Sequence, residues 1–177
     1  MRLNIFSIPI FIDKVDLDKI DITEDRFEKY WLSQTPTSLP TNTNISQETY
    51  QYLAEVIARN IDELGPYNNP RFGQIWRNKY SKTDYQDSHI HPRSQWSFII
   101  YETVEQSKTN FINPSRSLIM NQLEFYPEAL PTEFTPTLGP GDILIFPSFL
   151  EHFVLAGSEG TTISGNVYMD APILNNE

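Results

Sequence analysis

The apolar positions change period partway along the chain. Leu3 to Val15 is β-like, dominated by Ile5, Ile8, Ile10, Phe11, Ile12 and Val15. Pro9 cannot donate to a ladder and marks this stretch as an edge or bent strand. Asp16 to Trp31 mixes charges with Ile20, Ile22, Phe27, Tyr30 and Trp31, and a short helix from Glu24 to Leu32 would bury the last three aromatics on one side. Gln34 to Asn44 is rich in Thr, Pro and Asn and reads as a loop. Asn44 to Leu64 then carries a helical period: Tyr50, Leu53, Ala54, Ile57, Ile61 and Leu64 form one apolar stripe. Asn44 and Gln47 fit a capping box at its start, and Gly65-Pro66 supplies the stop.

After Pro70 the texture becomes that of short strands separated by turn residues: Gly73–Tyr80, Ile90–Glu102, Thr109–Ile112, Ser117–Met120, Glu133–Pro136, Asp142–Phe146, Phe153–Ala156 and Thr161–Met169. Asn113-Pro114 and Tyr126 to Pro131 mark loops. Gly139-Pro140-Gly141-Asp142 is a tight turn entering a strand, and Gly157 to Gly160 reads as a hairpin turn between the last two strands. This succession predicts a mainly β jelly roll with N-terminal helices packed on the barrel. No repeat and no second domain interrupts it. Residues 1–177 read as one domain, with 1–70 as an N-terminal strand and helical scaffold and 71–170 as the core.

Two histidines stand two residues apart at the mouth of an apolar run, in Ser88-His89-Ile90-His91-Pro92. On a strand, side chains at i and i+2 share a face, so both imidazoles can reach one point. The third and last histidine of the chain, His152, follows Phe146-Pro147-Ser148 beside another strand. Imidazole is a common ligand for iron, zinc, copper and nickel. Antiparallel strands of one barrel could bring the three together, leaving the opposite coordination positions open, as a catalytic metal requires.

Composition narrows the partners. The formal net charge is −10, and an acidic surface repels phosphate backbones, so nucleic acid is not an expected partner. There is no cysteine, hence no disulfide and no thiolate ligand. No apolar run is long enough to span a bilayer. The opening apolar run is short, broken by Pro9 and closed by Asp13-Lys14, unlike a signal peptide. The cytoplasm is the expected location, that of an infected host for a phage protein. The acidic cluster Asp13, Asp16, Asp18 and Asp21 lacks the glycine and closing glutamate of a calcium loop and reads as a solvated face.

The run Trp76-Arg77-Asn78, Ser88-His89-Ile90-His91-Pro92, Trp96-Ser97 with Tyr101, Asn113-Pro114, Gly139-Pro140-Gly141-Asp142, Phe146-Pro147-Ser148 and His152 resembles the small 2-oxoglutarate/Fe(II)-dependent oxygenases of bacteria and their phages. The likeness covers about Trp76 to Met169, and Ile5 to Pro9 is similar to that group's N-terminal strand. The resemblance implies a double-stranded β-helix of the cupin-like superfamily. It implies Fe(II) held by His89 and His152, with a third ligand near His91, and 2-oxoglutarate as cosubstrate. The wider superfamily usually carries a carboxylate at the position of His91, and Asp87 is the nearest spare one. The superfamily also anchors the far carboxylate of 2-oxoglutarate with an arginine, which by register falls on Gly160 or Thr162. This chain has no arginine or lysine after Arg116. Tyr101, Thr162, Ser164 and Asn166 could take the carboxylate instead, or Arg77, Lys79, Arg93 or Arg116 could reach in from another strand.

The reading that follows is a non-haem Fe(II) dioxygenase acting on a small molecule or peptide, with a flank that suits a homodimer. Two other readings stay open. A three-histidine cupin would share the jelly roll and the histidines without using 2-oxoglutarate, though Gln95 stands where such a protein would carry a glutamate. A non-catalytic barrel would keep the metal for stability or the fold alone for a partner. Trp76, Trp96, Phe146 and Phe149 read as barrel-lining aromatics.

Overall fold

The computed structural model describes residues 7–24, 26–30, 33–40, 43–65 and 70–169. Strand β1 (Phe11–Lys14) lies at one edge. After a short 3-10 turn come β2 (Ile22–Glu24), β3 (Glu28–Tyr30), β4 (Ser33–Thr37) and β5 (Thr43–Ile45). Helix α1 (Gln47–Ile61) follows, then β6 (Arg71–Tyr80), β7 (Gln86–His89), β8 (Trp96–Tyr101), β9 (Thr109–Ile112), helix α2 (Arg116–Gln122), β10 (Glu133–Phe134), β11 (Asp142–Pro147), β12 (His152–Val154) and β13 (Gly160–Tyr168).

The hydrogen-bonded order is β1-β11-β8-β13-β6-β4-β7-β12-β9-β10. One half of the jelly roll is β11-β8-β13-β6 and the other is β7-β12-β9-β10. The halves face each other, with Phe111 of β9 and Phe146 of β11 packed edge to face at 5.0 Å. Strand β4 joins the halves at one side, pairing Thr37 with Asn78 and Ser33 with Gln86. This is the mainly β jelly roll the strand pattern predicts.

Helix α1 covers the outer side of the first half. Leu53, Val56, Ile57 and Ile61 are buried in one cluster with Val15 and Ile22 of the N-terminal region and with Ile75, Phe98, Ile100, Ile143, Ile145 and Ile163 of the barrel. On strands with alternating faces, Ile100, Ile143 and Ile163 serve this outer layer, while their neighbours Tyr101, Leu144 and Thr162 turn to the interior. One continuous core therefore ties the N-terminal segment to the barrel.

Several expectations give way. The helix expected from Glu24 to Leu32 is absent among its described residues: Ile22–Glu24 pairs with β5 and Glu28–Tyr30 with β4. Phe27 instead lies under the Lys79 ammonium, 3.8 Å from its ring centroid, and Tyr30 is exposed. The loop expected over 34–44 contains most of β4 and part of β5, because these polar, β-branched residues complete ladders on both sides. Ser46, not Asn44, caps α1, its hydroxyl accepting from the Thr49 amide at 3.1 Å. The strand expected over Ser117–Met120 is helix α2: Asn113 accepts from the Ser115 amide at 2.9 Å, and of Leu118, Ile119 and Met120 only Ile119 is buried. Gly157 to Gly160 is not a hairpin turn, since β12 pairs with β7 and β9 while β13 pairs with β6 and β8. The segment crosses from one half of the barrel to the other. The part of the first expected strand before Ser7, with Ile5, lies outside the described residues, as do Trp31 and Leu32. No helix among the described residues is long and apolar enough to cross a membrane.

Candidate metal centre and cosubstrate cavity

The three histidines converge, although not by the single-strand route expected. His89 closes β7, and His91 lies in the turn beyond it. Strand β12 brings His152 into register opposite both His89 and Phe111. The ring centroids of His89 and His152 are 4.4 Å apart, and His91 lies 5.2 Å from each. One ligand atom from each of the three falls within 4.8 Å of the others. Two donors on one ion at about 2.1 Å can be at most ~4.2 Å apart, so small side-chain rotations close the triangle on a single ion.

Each ring is oriented through Nδ1. His89 Nδ1 meets the Asp87 carbonyl at 2.7 Å, His152 Nδ1 the Leu150 carbonyl at 2.9 Å, and His91 Nδ1 the Asn166 Oδ1 at 2.9 Å. A carbonyl oxygen can only accept, so the proton sits on Nδ1 and the bare lone pair of each Nε2 is free for a cation. Burial also keeps the rings neutral. It lowers the pKa of His89 against the pull of the Asp87 carbonyl and charge. It lowers that of His91 to about 4, with help from neighbouring His89. For His152 burial, then His89 and His91, hold the value far below the usual range. A cluster of neutral, pre-oriented imidazoles, His152 buried and His89 and His91 half-buried, with no carboxylate among them is a donor set that fits Fe(II) and other borderline divalent ions.

His91 has the most elaborate support. Its ring stacks on Trp76 at 5.6 Å and 18°. Its amide donates to the Ser148 carbonyl at 2.9 Å. The Ser148 hydroxyl bonds those of Ser94 and Ser97, each at 2.8 Å, and Ser97 reaches Asn166 Oδ1 at 3.4 Å. The Phe146-Pro147-Ser148 motif thus clamps the turn that carries His91. Asp87 is exposed and contributes its main-chain carbonyl to His89 rather than a carboxylate to the cluster.

Behind the histidines lies a cavity of about 400 Å³, ample for a small acid and within the usual range for ligand sites. Its wall includes a row of register partners across four adjacent strands: Thr37, Asn78, Thr162 and Tyr101. Asn78 Nδ2 lies 3.4 Å from both Thr162 Oγ1 and Ser164 Oγ. The Tyr101 phenol bonds Ser107 at 2.8 Å and Thr109 at 3.0 Å, and the Tyr80 hydroxyl lies beside Thr162. Burial raises the pKa of both phenols, so they stay protonated and able to donate.

Of the residues expected to contact the cosubstrate, Tyr101, Thr162 and Ser164 therefore line the cavity together, while Asn166 lines it and also positions His91. Asn78, Tyr80 and Thr109 escaped the sequence reading. Period-2 alternation from Trp76 would have placed Asn78 and Tyr80 on the same face. The arginine candidates lie elsewhere: Arg77 faces outward and forms a bidentate pair with Glu102, at 2.7 and 2.9 Å, and a second pair with Glu24. Arg116 pairs with Glu133 at 3.1 Å. Neither these nor Lys79 and Arg93 line the cavity. At Gly160 an added Cβ would lie 2.7 Å from the Thr103 carbonyl carbon, and its φ of +126° disfavours any side chain, so no arginine fits there.

A family model described as "Putative 2OG-Fe(II) oxygenase" matches residues 74–164, just over half of the 177 residues. No curated protein matches the sequence. Among solved structures, an oxidoreductase of the 2OG-Fe(II) oxygenase family from Burkholderia pseudomallei is similar over 90% of this chain and 67% of its own, at 10% identity and a TM-score of 0.50. HygX from Streptomyces hygroscopicus, with nickel and 2-oxoglutarate bound, is similar over 94% of this chain and 84% of its own, at 12% identity and a TM-score of 0.50. At such identities the two structures speak to the fold alone. The family match spans most of β6 to the middle of β13 and so includes all three histidines and Asn78, Tyr101 and Thr162 of the polar row, and with it the chain takes its place in the 2OG-Fe(II) oxygenase family, non-haem iron dioxygenases that depend on Fe(II) and 2-oxoglutarate.

Proposed function

We propose that this chain hydroxylates a C–H group of a small molecule or peptide, with His89, His91 and His152 as the Fe(II) ligands. Tyr101, Thr162, Ser164 and Asn166 flank 2-oxoglutarate in the cavity behind them. The chain works as one domain, residues 1–70 bracing the barrel of 71–170. The observation that carries the reading is the set of three Nε2 lone pairs, each freed by a hydrogen bond at its own Nδ1.

Fe(II) bound there supplies the dioxygen chemistry that couples oxidative decarboxylation of 2-oxoglutarate to insertion of one oxygen atom into the substrate. The protein does the rest. The carbonyls of Asp87 and Leu150 and the amide of Asn166 hold the ligand rings at fixed tautomer and angle. Phe146, Phe111 and Val154 exclude water from the side facing the core. Ile90 and Pro92, on the turn between and beyond the first two histidines, line the cavity with Leu39 and Tyr30 and offer an apolar rim for the substrate. Three neutral ligands leave both charges of the ion uncompensated, which favours an anionic chelator over water.

The test is an anaerobic titration of Fe(II)-loaded protein with 2-oxoglutarate, followed by the visible metal-to-ligand charge-transfer band, then admission of oxygen with assay of succinate. A band and succinate in the wild type, both lost in His152→Ala, support the reading. Tight metal binding with neither band nor succinate would overturn it in favour of a three-histidine barrel that does not use a 2-oxo acid.

A further inference from the structure

The cavity holds an unusual charge balance for its cosubstrate. 2-Oxoglutarate is a dianion, and one carboxylate with the 2-oxo group is the part that chelates a metal. The other must be buried in the cavity. Among the described lining residues there is no arginine, and the one lysine is Lys108. Its neighbours Ser107 and Thr109 both turn their hydroxyls inward to the Tyr101 phenol. Lys108 itself lies just before β9, and its Nζ is 3.5 Å from the exposed Gln106 amide oxygen. The lysine lines the cavity edge with its ammonium against Gln106, and it forms no hydrogen bond with the cavity hydroxyls.

What does point inward is a cluster of neutral hydroxyls: Tyr80, Tyr101, Thr109 and Thr162. All four are at least nine-tenths buried. Tyr101 bonds Thr109 and Ser107, and Thr162 lies 3.4 Å from Asn78 Nδ2, and a hydroxyl can rotate to donate to an incoming acceptor. A guanidinium or ammonium would reward a charged tail and leave itself unpaired over a neutral one. A hydroxyl cradle separates the two far less: its bonds to a carboxylate are stronger than those to an ester or ketone oxygen, but it can donate to either and is left with no unpaired charge.

Resting on the cosubstrate site proposed above, we infer that this hydroxyl cradle receives the tail of the 2-oxo acid in place of a cation. The enzyme consequently accepts 2-oxo acids with uncharged, hydrogen-bond-accepting tails alongside 2-oxoglutarate. The two charges of the ion, untouched by its neutral ligands, keep the dianion from being excluded. Thr162 and Tyr101 act here as specificity-determining residues, by the absence of charge rather than its presence.

Calorimetric titration of the Fe(II)-loaded protein under nitrogen tests this with two ligands, 2-oxoglutarate and its 5-methyl ester. The dissociation constants are expected to differ by less than about 30-fold, whereas a facing cation would separate them by more than ~100-fold. Lys108→Met is expected to leave the affinity for 2-oxoglutarate unchanged, and Thr162→Val to weaken both ligands alike. A gap of 30-fold or more, or a selective loss of 2-oxoglutarate in Lys108→Met, would overturn the neutral cradle while leaving the metal site intact. Failure of both ligands to bind protein that does hold the metal would instead sink the cosubstrate site on which the inference rests.

Discussion

His152 stands directly opposite His89 in the antiparallel pair of β12 and β7, their ring centroids 4.4 Å apart. The pairing fixes two of the three imidazoles by main-chain register, so neither ring depends on the metal for its place. Removing either should therefore cost metal far more than it costs fold. His89→Ala and His152→Ala are expected to weaken Fe(II) or Co(II) binding by more than about 100-fold, beyond the range typical of changes behind the ligands. Far-ultraviolet dichroism should stay that of the wild type. Metal analysis after gel filtration checks this, and stoichiometric metal in either variant would remove these residues from the ligand set.

Asn166 acts one step behind. Its Oδ1 accepts from His91 Nδ1 at 2.9 Å and from Ser97 at 3.4 Å, and His91 has no main-chain carbonyl to replace it, unlike His89 and His152. Asn166→Ala should weaken metal binding by about 10–100-fold, measured by competition with a chromogenic chelator. Ser97→Ala should give a smaller loss, because it touches His91 only through Asn166. Equal effects from the two would contradict this order.

Much of the barrel was legible because period-2 alternation is a local signal. Thr109–Ile112 matches β9, and most other core strands fall within a few residues of their expected ends, Ile90–Glu102 starting the furthest out, but β7, which carries His89, was not among the expected strands. The histidine set was legible because only three histidines exist and two of them share a His-x-His. What escaped was whatever depended on distant partners. Nothing around Glu24 announces that its carboxylate meets Arg77, a pairing that holds the stretch in β2 rather than in a helix. Asn78 and Tyr80 looked like strand polar residues until register placed them beside Thr162 and Gly160. Asn166 looked like a ligand for the cosubstrate, and its contact with His91, 75 positions away, could come only from folding.

Gly160 is a point where the backbone leaves no freedom. It opens β13 at a φ of +126°, and an added Cβ would sit 2.7 Å from the Thr103 carbonyl carbon and 2.8 Å from its oxygen. Thr103 cannot retreat easily, since its hydroxyl accepts from the Thr161 amide at 2.8 Å. Gly160→Ala is expected to destabilise the fold by about 1–3 kcal/mol through the strained φ, with the clash adding to it. Gly157→Ala should cost less, because the nearest atom to its added Cβ is the end of the Lys108 chain at 3.9 Å. Urea unfolding of the two variants orders them, and equal midpoints would show that Thr103 yields.

Asp13 ties the edge strand β1 to α1. Its Oδ2 accepts from Arg59 Nη2 at 2.7 Å and from Arg59 Nε and Asn60 Nδ2, both at 2.9 Å, while Oδ1 takes the Lys14 amide at 2.7 Å. Partial burial pushes its pKa up, but the bonds from Asn60, Arg59 and Lys14 outweigh that and leave it below the ordinary carboxylate value. A carboxyl whose folded pKa is depressed stabilises the fold above its unfolded pKa, near 4, and loses that contribution as pH falls through the folded value. Asp13→Asn removes the titration. Because Arg59 is more than half exposed, the difference from wild type at neutral pH should be only about 1 kcal/mol or less. It should shrink steadily between about pH 5 and pH 2 as the wild-type carboxylate takes up its proton. Urea unfolding across that window reads it directly, and a difference that stays constant with pH would mean the clasp holds through packing of the Arg59 and Asn60 side chains rather than through the charge on Asp13.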